Sequence, residues 1–157
     1  MTKQITKSII VHRDASKVYA LWSAFENFPH FMKHIKSVQK MGDGRHSRWV
    51  MEGPLGSTIT WEVETTSLEE NKRIAWNSKD KDGDIKTSGQ VTFTALPQEQ
   101  TEVTVTLQYV APAGPVGEVV AGIFGSPEYK LQEDLLNFKA YAEGRFEHSE
   151  LPVQKGI

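Results

Sequence analysis

The chain has 157 residues, with 18 basic and 20 acidic side chains, a formal net charge of −2 and 38% hydrophobic residues. These values are typical of one globular domain with a sizeable core, and the charge balance argues against nucleic acid as a partner. The absence of cysteine excludes disulfides, thiolate nucleophiles and cysteine-ligated metals. No secretory leader and no run of about 18 apolar residues is visible, which predicts a cytoplasmic protein without stable membrane insertion.

The first elements are a strand and two short helices. Ile5, Lys7, Ile9 and Val11 recur at every second position, as in a strand with one buried face. Asp14 is a suitable N-cap for a short helix that ends near Ser23. The aromatic-rich segment 25–32 contains Pro29 and predicts a second short helical turn.

Six further strands are predicted between Ile35 and Val110. Five turn-forming segments divide this region, and such short connections favour an antiparallel meander. The turn segments are 42–44, 53–56, 69–72, 81–84 and 96–99.

Three hairpins give a testable register, because residues opposite each other in an antiparallel pair share one face. The predicted pairs are Trp49 with Trp61, Met51 with Ile59, Val63 with Trp76, Phe93 with Val103, Val91 with Val105, and Thr87 with Tyr109. All three hairpins then present one apolar face. The opposite face should meet water, since it carries Arg48, Glu52, Glu62, Glu64, Arg73, Asn77, Gln90, Thr104 and Gln108.

Two helices are predicted after the last strand. The first begins at Pro115 and ends near Gly125, and its glycines lack the lysine and hydroxyl ending of a phosphate loop. This segment is interpreted as a lid over a pocket mouth or as close structural packing. The second has Ser126 as N-cap and Pro127 at its first position, and it extends to about Glu143. Its apolar stripe consists of Leu131, Leu135, Phe138 and Ala142.

The order of strand, two short helices, six strands and long helix resembles the helix-grip fold of the START-like superfamily, which includes the Bet v 1 allergens. The segments 28–32, 53–62, 73–76 and 133–139, together with Trp49, are similar to its bacterial polyketide cyclase/dehydrase-like branch. The resemblance covers about residues 3–145. It implies an α+β fold in which a seven-stranded curved antiparallel sheet wraps a long C-terminal helix, as a single domain over 1–145 with a tail over 146–157.

The superfamily contains binders, transporters and enzymes, so the resemblance leaves the activity open. The Gly-rich loop of the Bet v 1 group and the metal ligands of Rieske-type oxygenases have no match in this chain.

The apolar face of the sheet and the helix stripe form a candidate ligand cavity, with a completely filled core as the alternative. The predicted ligand-binding residues are Phe28, Phe31, Trp49, Met51, Ile59, Trp61, Trp76, Phe93, Tyr109, Phe124, Leu131, Leu135 and Phe138. The expected ligand is a small hydrophobic molecule such as a lipid, a quinone or a polyketide-like compound.

An enzyme of this shape needs an acid or base inside the cavity. The inward face of the three hairpins contains no ionisable residue, and the exceptions are Asp134, which flanks the helix stripe, and Arg48 if its strand shifts by one residue. His30 and His34 have metal-ligand spacing but lack a third ligand, so no metal or other cofactor is predicted.

The first hypothesis is therefore a carrier or binding protein, either a monomer or a homodimer. A cofactor-free polyketide cyclase or dehydratase is the alternative. A module that binds a partner protein through the outer face of the sheet is a third interpretation, weakened by the mixed polar and charged character of that face.

Overall fold

The computed structural model describes residues 3–52, 56–78, 86–110 and 127–145. Its elements follow the predicted order. They are β1 (Lys3–Val11), α1 (Ala15–Ser23), the 3-10 turn η1 (Phe25–His30), β2 (Ile35–Lys40), β3 (His46–Glu52), β4 (Thr58–Glu69), β5 (Arg73–Ser78), β6 (Lys86–Leu96), β7 (Gln100–Val110) and α2 (Pro127–Ala142). The predicted helix over 115–125, the N-cap Ser126 and the tail 146–157 lie outside the described residues.

All seven strands form one antiparallel sheet in the order β1-β7-β6-β5-β4-β3-β2. The meander from β2 to β7 is confirmed, and β1 joins it by pairing with β7. Register shifts between Ile35 and Ser37 and between Thr65 and Ser67 add to the natural twist of the strands. The sheet therefore curls around the helices, and the predicted helix-grip fold is confirmed.

Two of the three predicted hairpin registers are confirmed. Trp49 lies opposite Trp61, and Phe93 lies opposite Val103. The pairing of Val63 with Trp76 is wrong, because Val63 lies opposite Ser78 and Thr65 lies opposite Trp76.

The β4–β5 connection explains this error. Glu69 pairs with Arg73, so three residues form the loop, and Asn71 takes a positive φ of 63° at its centre. The extra residue of the bulge beyond Thr65 then moves the register back by one residue. The net shift is two residues, so Trp76 still lies on the concave face.

Gly89 allows β6 to pass close to its neighbours. A Cβ atom at this position would lie 2.2 Å from the carbonyl oxygen of Thr106 and 3.0 Å from the Trp76 ring. Only glycine fits there without moving a strand, so Gly89 allows the Trp76 indole to lie flat against β6.

The two ends of the sheet differ, and we name them by their connections. The turn end carries the β2–β3, β4–β5 and β6–β7 turns, the junction from β1 to α1 and the C-terminus of α2. The opposite end, here the open end, carries the C-terminal ends of β3, β5 and β7 and the N-terminus of α2. Among the described residues, no helix is both long and apolar enough to cross a membrane.

Candidate functional site

The concave face collects the predicted ligand-binding residues into two hydrophobic clusters. The helix-side cluster lies where α1, η1 and α2 pack on the sheet, and it includes Phe28, Phe31, Phe93, Leu131, Leu135 and Phe138. The floor cluster lies on β3 and β4 and consists of Met51, Ile59, Trp61 and Val63. The four residues of the α2 stripe are all buried, as predicted from their spacing.

Aromatic rings fill the helix-side cluster. Phe138 is fully buried, with its ring centroid 4.8 Å from that of Trp22 and 5.3 Å from that of Phe31. The Phe28 ring stands edge-on to Trp22 at 5.5 Å. These edge-to-face contacts are the favourable geometry for aromatic pairs, so this part of the interior is solid core. Trp22 was absent from the predicted set, although its position on the apolar stripe of α1 indicated burial.

The floor cluster is connected differently. Three half-buried residues, Ile35, Trp49 and Trp76, pack against both clusters. The Trp49 and Trp61 rings stack with centroids 6.0 Å apart, and the Trp49 indole N–H donates to Ser47 Oγ at 2.9 Å. The floor is thus an aromatic surface on the open half of the sheet, joined to the solid core by side chains that keep part of their surface accessible.

The remaining predicted residues have different environments. Tyr109 is half-buried near the open end, opposite Thr87 and Lys3. Phe124 lies outside the described residues. The prediction that all thirteen residues contact one ligand therefore stays a prediction.

Two ionisable residues modify the predicted apolar lining. Lys7 lies opposite Val105, which is buried on the concave face, and Lys7 itself is half-buried. The predicted inward face of the three hairpins did not include β1, so Lys7 adds an ionisable group to that face, and the alternation of Lys7 with Ile5 and Ile9 was the available signal. Arg48 points outward and donates to Glu62 Oε2 at 3.0 Å, so its strand is not shifted.

Asp134 is the second ionisable residue. Its side chain is only 13% exposed, and Lys130 Nζ lies 3.2 Å from its Oδ1 atom. Burial raises the pKa of Asp134 to about 6, against the opposing attraction of Lys130. One turn further along α2, Asn137 Nδ2 donates to the carbonyl of Phe31 at 3.1 Å, which fixes this helix face against η1.

The two histidines considered for a metal have other surroundings. The His30 ring stacks on Tyr141 with centroids 6.2 Å apart. Burial, followed by the nearby Lys130 ammonium, lowers the pKa of His34. In the described part of the chain, no group of three histidine, aspartate or glutamate side chains is placed to hold a metal.

The outer face of the sheet is polar, as predicted. Arg73 Nε donates to Gln90 Oε1 at 2.6 Å, and Gln108 Nε2 donates to Gln4 Oε1 at 2.9 Å. Ser8 and Thr104 share a hydroxyl hydrogen bond of 2.9 Å. These side chains bond to one another across strands, which leaves the concave face as the apolar one.

The chain was compared with protein families and with known proteins. The family model for polyketide cyclase / dehydrase and lipid transport matches residues 11–136. An uncharacterised 17.2 kDa protein of Streptomyces lincolnensis is 27% identical over 142 residues, which cover 90% of this chain and 91% of that protein.

Solved structures agree with the fold. A protein of Deinococcus radiodurans is 34% identical and superposes with a TM-score of 0.70, covering 90% of this chain and 98% of its own. The Zhui aromatase/cyclase of Streptomyces sp. R1128 is 16% identical with a TM-score of 0.74, covering 92% and 96%. A START superfamily protein of Mycobacterium smegmatis is 21% identical with a TM-score of 0.66, covering 93% and 98%.

Proposed function

We propose that this chain, which belongs to the polyketide cyclase / dehydrase and lipid transport family, binds one small hydrophobic molecule between the floor cluster and α2. The ligand class is a lipid, a quinone or a polyketide-like compound. The aromatic floor supplies the contact area, and the described apolar lining favours a molecule with few polar groups.

The division of the interior into two clusters carries this proposal. A solidly filled core would bury the residues that connect its parts, as the helix-side cluster buries Phe138. Trp49 and Trp76 connect the two clusters but remain half-buried. Flat indole rings that stay partly accessible on a concave face are suited to stack against a ring or an acyl chain.

The test is a titration of the purified full-length chain with palmitate, a ubiquinone analogue and an aromatic polyketide, followed by tryptophan fluorescence. Saturable quenching is expected for at least one of them, together with an extractable co-purified lipid in mass spectrometry. Trp61→Ala should weaken binding by about tenfold, since a buried aromatic contact contributes on the order of 1.4 kcal/mol or more.

Trp22→Phe is the matched control, because Trp22 belongs to the helix-side cluster. This variant should keep both the affinity and the quenching that comes from the floor. Absence of binding, together with no extractable molecule, would show that the tryptophans fill a solid core. Equal losses in both variants would place the ligand elsewhere.

Asp134 favours a second candidate function, a cofactor-free cyclase or dehydratase. A carboxyl group whose pKa is raised to about 6 can take up and release a proton near neutral pH, as ring closure or loss of water requires. Asp134 also flanks the apolar stripe of α2, three residues after Leu131 and four before Phe138, and its side chain is only 13% exposed.

Asp134→Asn separates the two functions. A cyclase or dehydratase would lose turnover of a poly-β-ketone substrate by about 10²-fold or more, the usual effect of removing a general acid or base, while it still binds substrate. Glu133→Gln is the control, since this neighbouring side chain is 37% exposed. If the wild-type chain binds the substrate but does not turn it over, the carrier function stands and the cyclase or dehydratase function is excluded.

A further inference from the structure

A second pocket lies at the turn end, where its lining residue Ser47 pairs with Val63 at the edge of the floor cluster. It encloses about 210 Å³ between the C-terminal half of α1, the β2–β3 turn and the last residues of β4. The lining residues are Tyr19, Ser23, Phe25, Lys40, Gly44, Arg45, His46, Ser47, Thr65 and Leu68. None of the thirteen predicted ligand-binding residues is among them.

The chemistry of this lining is divided into three groups. Lys40 and Arg45 are cationic, His46 contributes an imidazole ring, and no carboxylate belongs to the lining. Hydroxyl groups come from Ser23, Ser47 and Thr65. The apolar surface comes from Tyr19, Phe25 and Leu68, and Leu68 is 55% exposed in spite of its size.

The β2–β3 turn holds the basic group in place. Gly44 takes a φ of +74°, and Asp43 Oδ1 accepts hydrogen bonds from the backbone N–H groups of Arg45 (2.9 Å) and His46 (3.0 Å). These bonds, above all the one from Arg45, lower the pKa of Asp43 to about 2. The ionised carboxylate also bonds to His46 Nδ1, so the imidazole has a fixed orientation.

His46 Nε2 is left without a partner. This nitrogen is closed off from solvent and forms no hydrogen bond within the described residues. A buried polar nitrogen in this state costs free energy that a ligand oxygen would offset. Contact with that oxygen requires a small displacement of the atoms that cover this nitrogen.

Lys40 completes the cationic wall. Its Nζ atom lies 5.5 Å from the centroid of the Phe25 ring, and in the described part of the chain it has no carboxylate partner. The Arg45 guanidinium pairs with Glu64 Oε2 at 3.7 Å, and Glu64 is outside the lining. Two buried hydroxyl residues, Ser47 (2% exposed) and Thr65 (8% exposed), lie between this wall and the interior.

From this arrangement we infer that the turn-end pocket is a binding site for a small carboxylic acid with an aromatic or short aliphatic body. The carboxylate lies against Lys40, Arg45 and His46, where charge-assisted hydrogen bonds are available. The body lies on Phe25, Tyr19 and Leu68. Inorganic phosphate would satisfy the cations but leave this apolar wall uncovered, which is why an amphiphilic acid fits better.

The test uses sodium benzoate as the probe and amide NMR spectra of the full-length chain. Benzoate should produce saturable shifts of the Gly44, Arg45 and His46 amides, whereas benzyl alcohol and inorganic phosphate should each bind at least about tenfold more weakly. Lys40→Gln should raise the dissociation constant of benzoate by about tenfold. Lys36→Gln is the matched control on the same strand, and it should change that constant by less than about twofold.

Four outcomes would overturn the inference. They are no saturable shifts with benzoate, equal affinity for benzyl alcohol, equal affinity for phosphate, and unchanged affinity in Lys40→Gln. Shifts confined to the Trp61 and Trp76 indoles are one form of the first outcome, and they would support the hydrophobic ligand at the floor. The two sites can therefore fail independently.

Discussion

The helix-side cluster and the floor cluster have similar compositions but different packing. Phe138, at the centre of the first, is fully buried among rings on three elements. Trp61, at the centre of the second, is 8% exposed and lies beside the half-buried Trp49. Apolar composition therefore does not distinguish a solid core from a binding surface. The covering elements distinguish them, because α1, η1 and α2 meet over one cluster only.

The largest expected effect follows directly from this difference. Phe138→Ala should lower the free energy of unfolding by about 4 kcal/mol, because neighbouring rings on a rigid scaffold cannot collapse into the space. Trp61→Ala should lower it by only about 2 kcal/mol, since the floor is less tightly enclosed. Urea unfolding of the delipidated chain measures both values. Equal losses would show that the floor is packed as solidly as the core and would remove the support for a ligand there.

Sequence patterns predicted much of this comparison. Alternation along the strands and the steps of four, three and four along α2 identified the concave face, because burial on one side imposes those periods. The same patterns could not divide that face into core and floor. The division depends on where α1 and η1 pack in three dimensions, and neither the spacing of Trp22 nor that of Phe28 contains that information.

The ionisable groups were harder to predict for a related reason. The alternation with Ile5 and Ile9 placed Lys7 on the buried face of β1, but the predicted lining was taken from the three hairpins and α2, so Lys7 was not counted in it. Lys40, Arg45 and His46 lie in and beside a turn where charged residues are ordinary, so the turn-end pocket had no sequence signal. The error at Val63 came from a three-residue loop and a bulge, both of which depend on local backbone conformations such as the positive φ of Asn71.

The pH dependence of stability gives a second test of the comparison between the two clusters. It concerns the carboxyl group of Asp134, in the half of α2 nearer the open end. Its pKa of about 6 in the folded chain lies above the ordinary aspartate value of 3.8. Between these values the folded chain holds a proton that the unfolded chain has released, so stability falls as pH rises through this window. The free energy of unfolding should fall by about 3 kcal/mol, since the two pKa values differ by about two.

Asp134→Asn should remove this slope, because the amide resembles the protonated acid at every pH. The difference between the unfolding free energies of the variant and the wild type should therefore grow from pH 4 to pH 7. Glu133→Gln should leave the wild-type slope in place. Parallel profiles for wild type and Asp134→Asn would mean that the Lys130 ammonium fully offsets the burial of the carboxylate.

The smallest expected effect on stability comes from Glu143 at the turn end, and its pH dependence is opposite to that of Asp134. Glu143 Oε2 accepts hydrogen bonds at 2.8 Å from the backbone N–H of His12 and from Lys139 Nζ, and Oε1 accepts from Arg145. Burial opposes ionisation, but the bond from Lys139 and the other bonds outweigh it and lower the pKa of Glu143 to about 2. This carboxylate stabilises the fold above its unfolded pKa, and the contribution is lost as pH falls towards 2.

Glu143→Gln should therefore lower the free energy of unfolding at pH 7 by about 2 kcal/mol, since the amide keeps the bond from His12 but loses the charge that holds Lys139 and Arg145. The difference should shrink towards zero near pH 2, which is the reverse of the Asp134 profile. Glu62→Gln is the control, because its exposed pair with Arg48 contributes at most about 1 kcal/mol. A loss as small as that of Glu62→Gln would mean that the Glu143 carboxylate is not needed to hold the end of α2 against β1. The bonds from Arg13 to the Glu143 carbonyl and from Lys139 to the Ile10 carbonyl would then be sufficient.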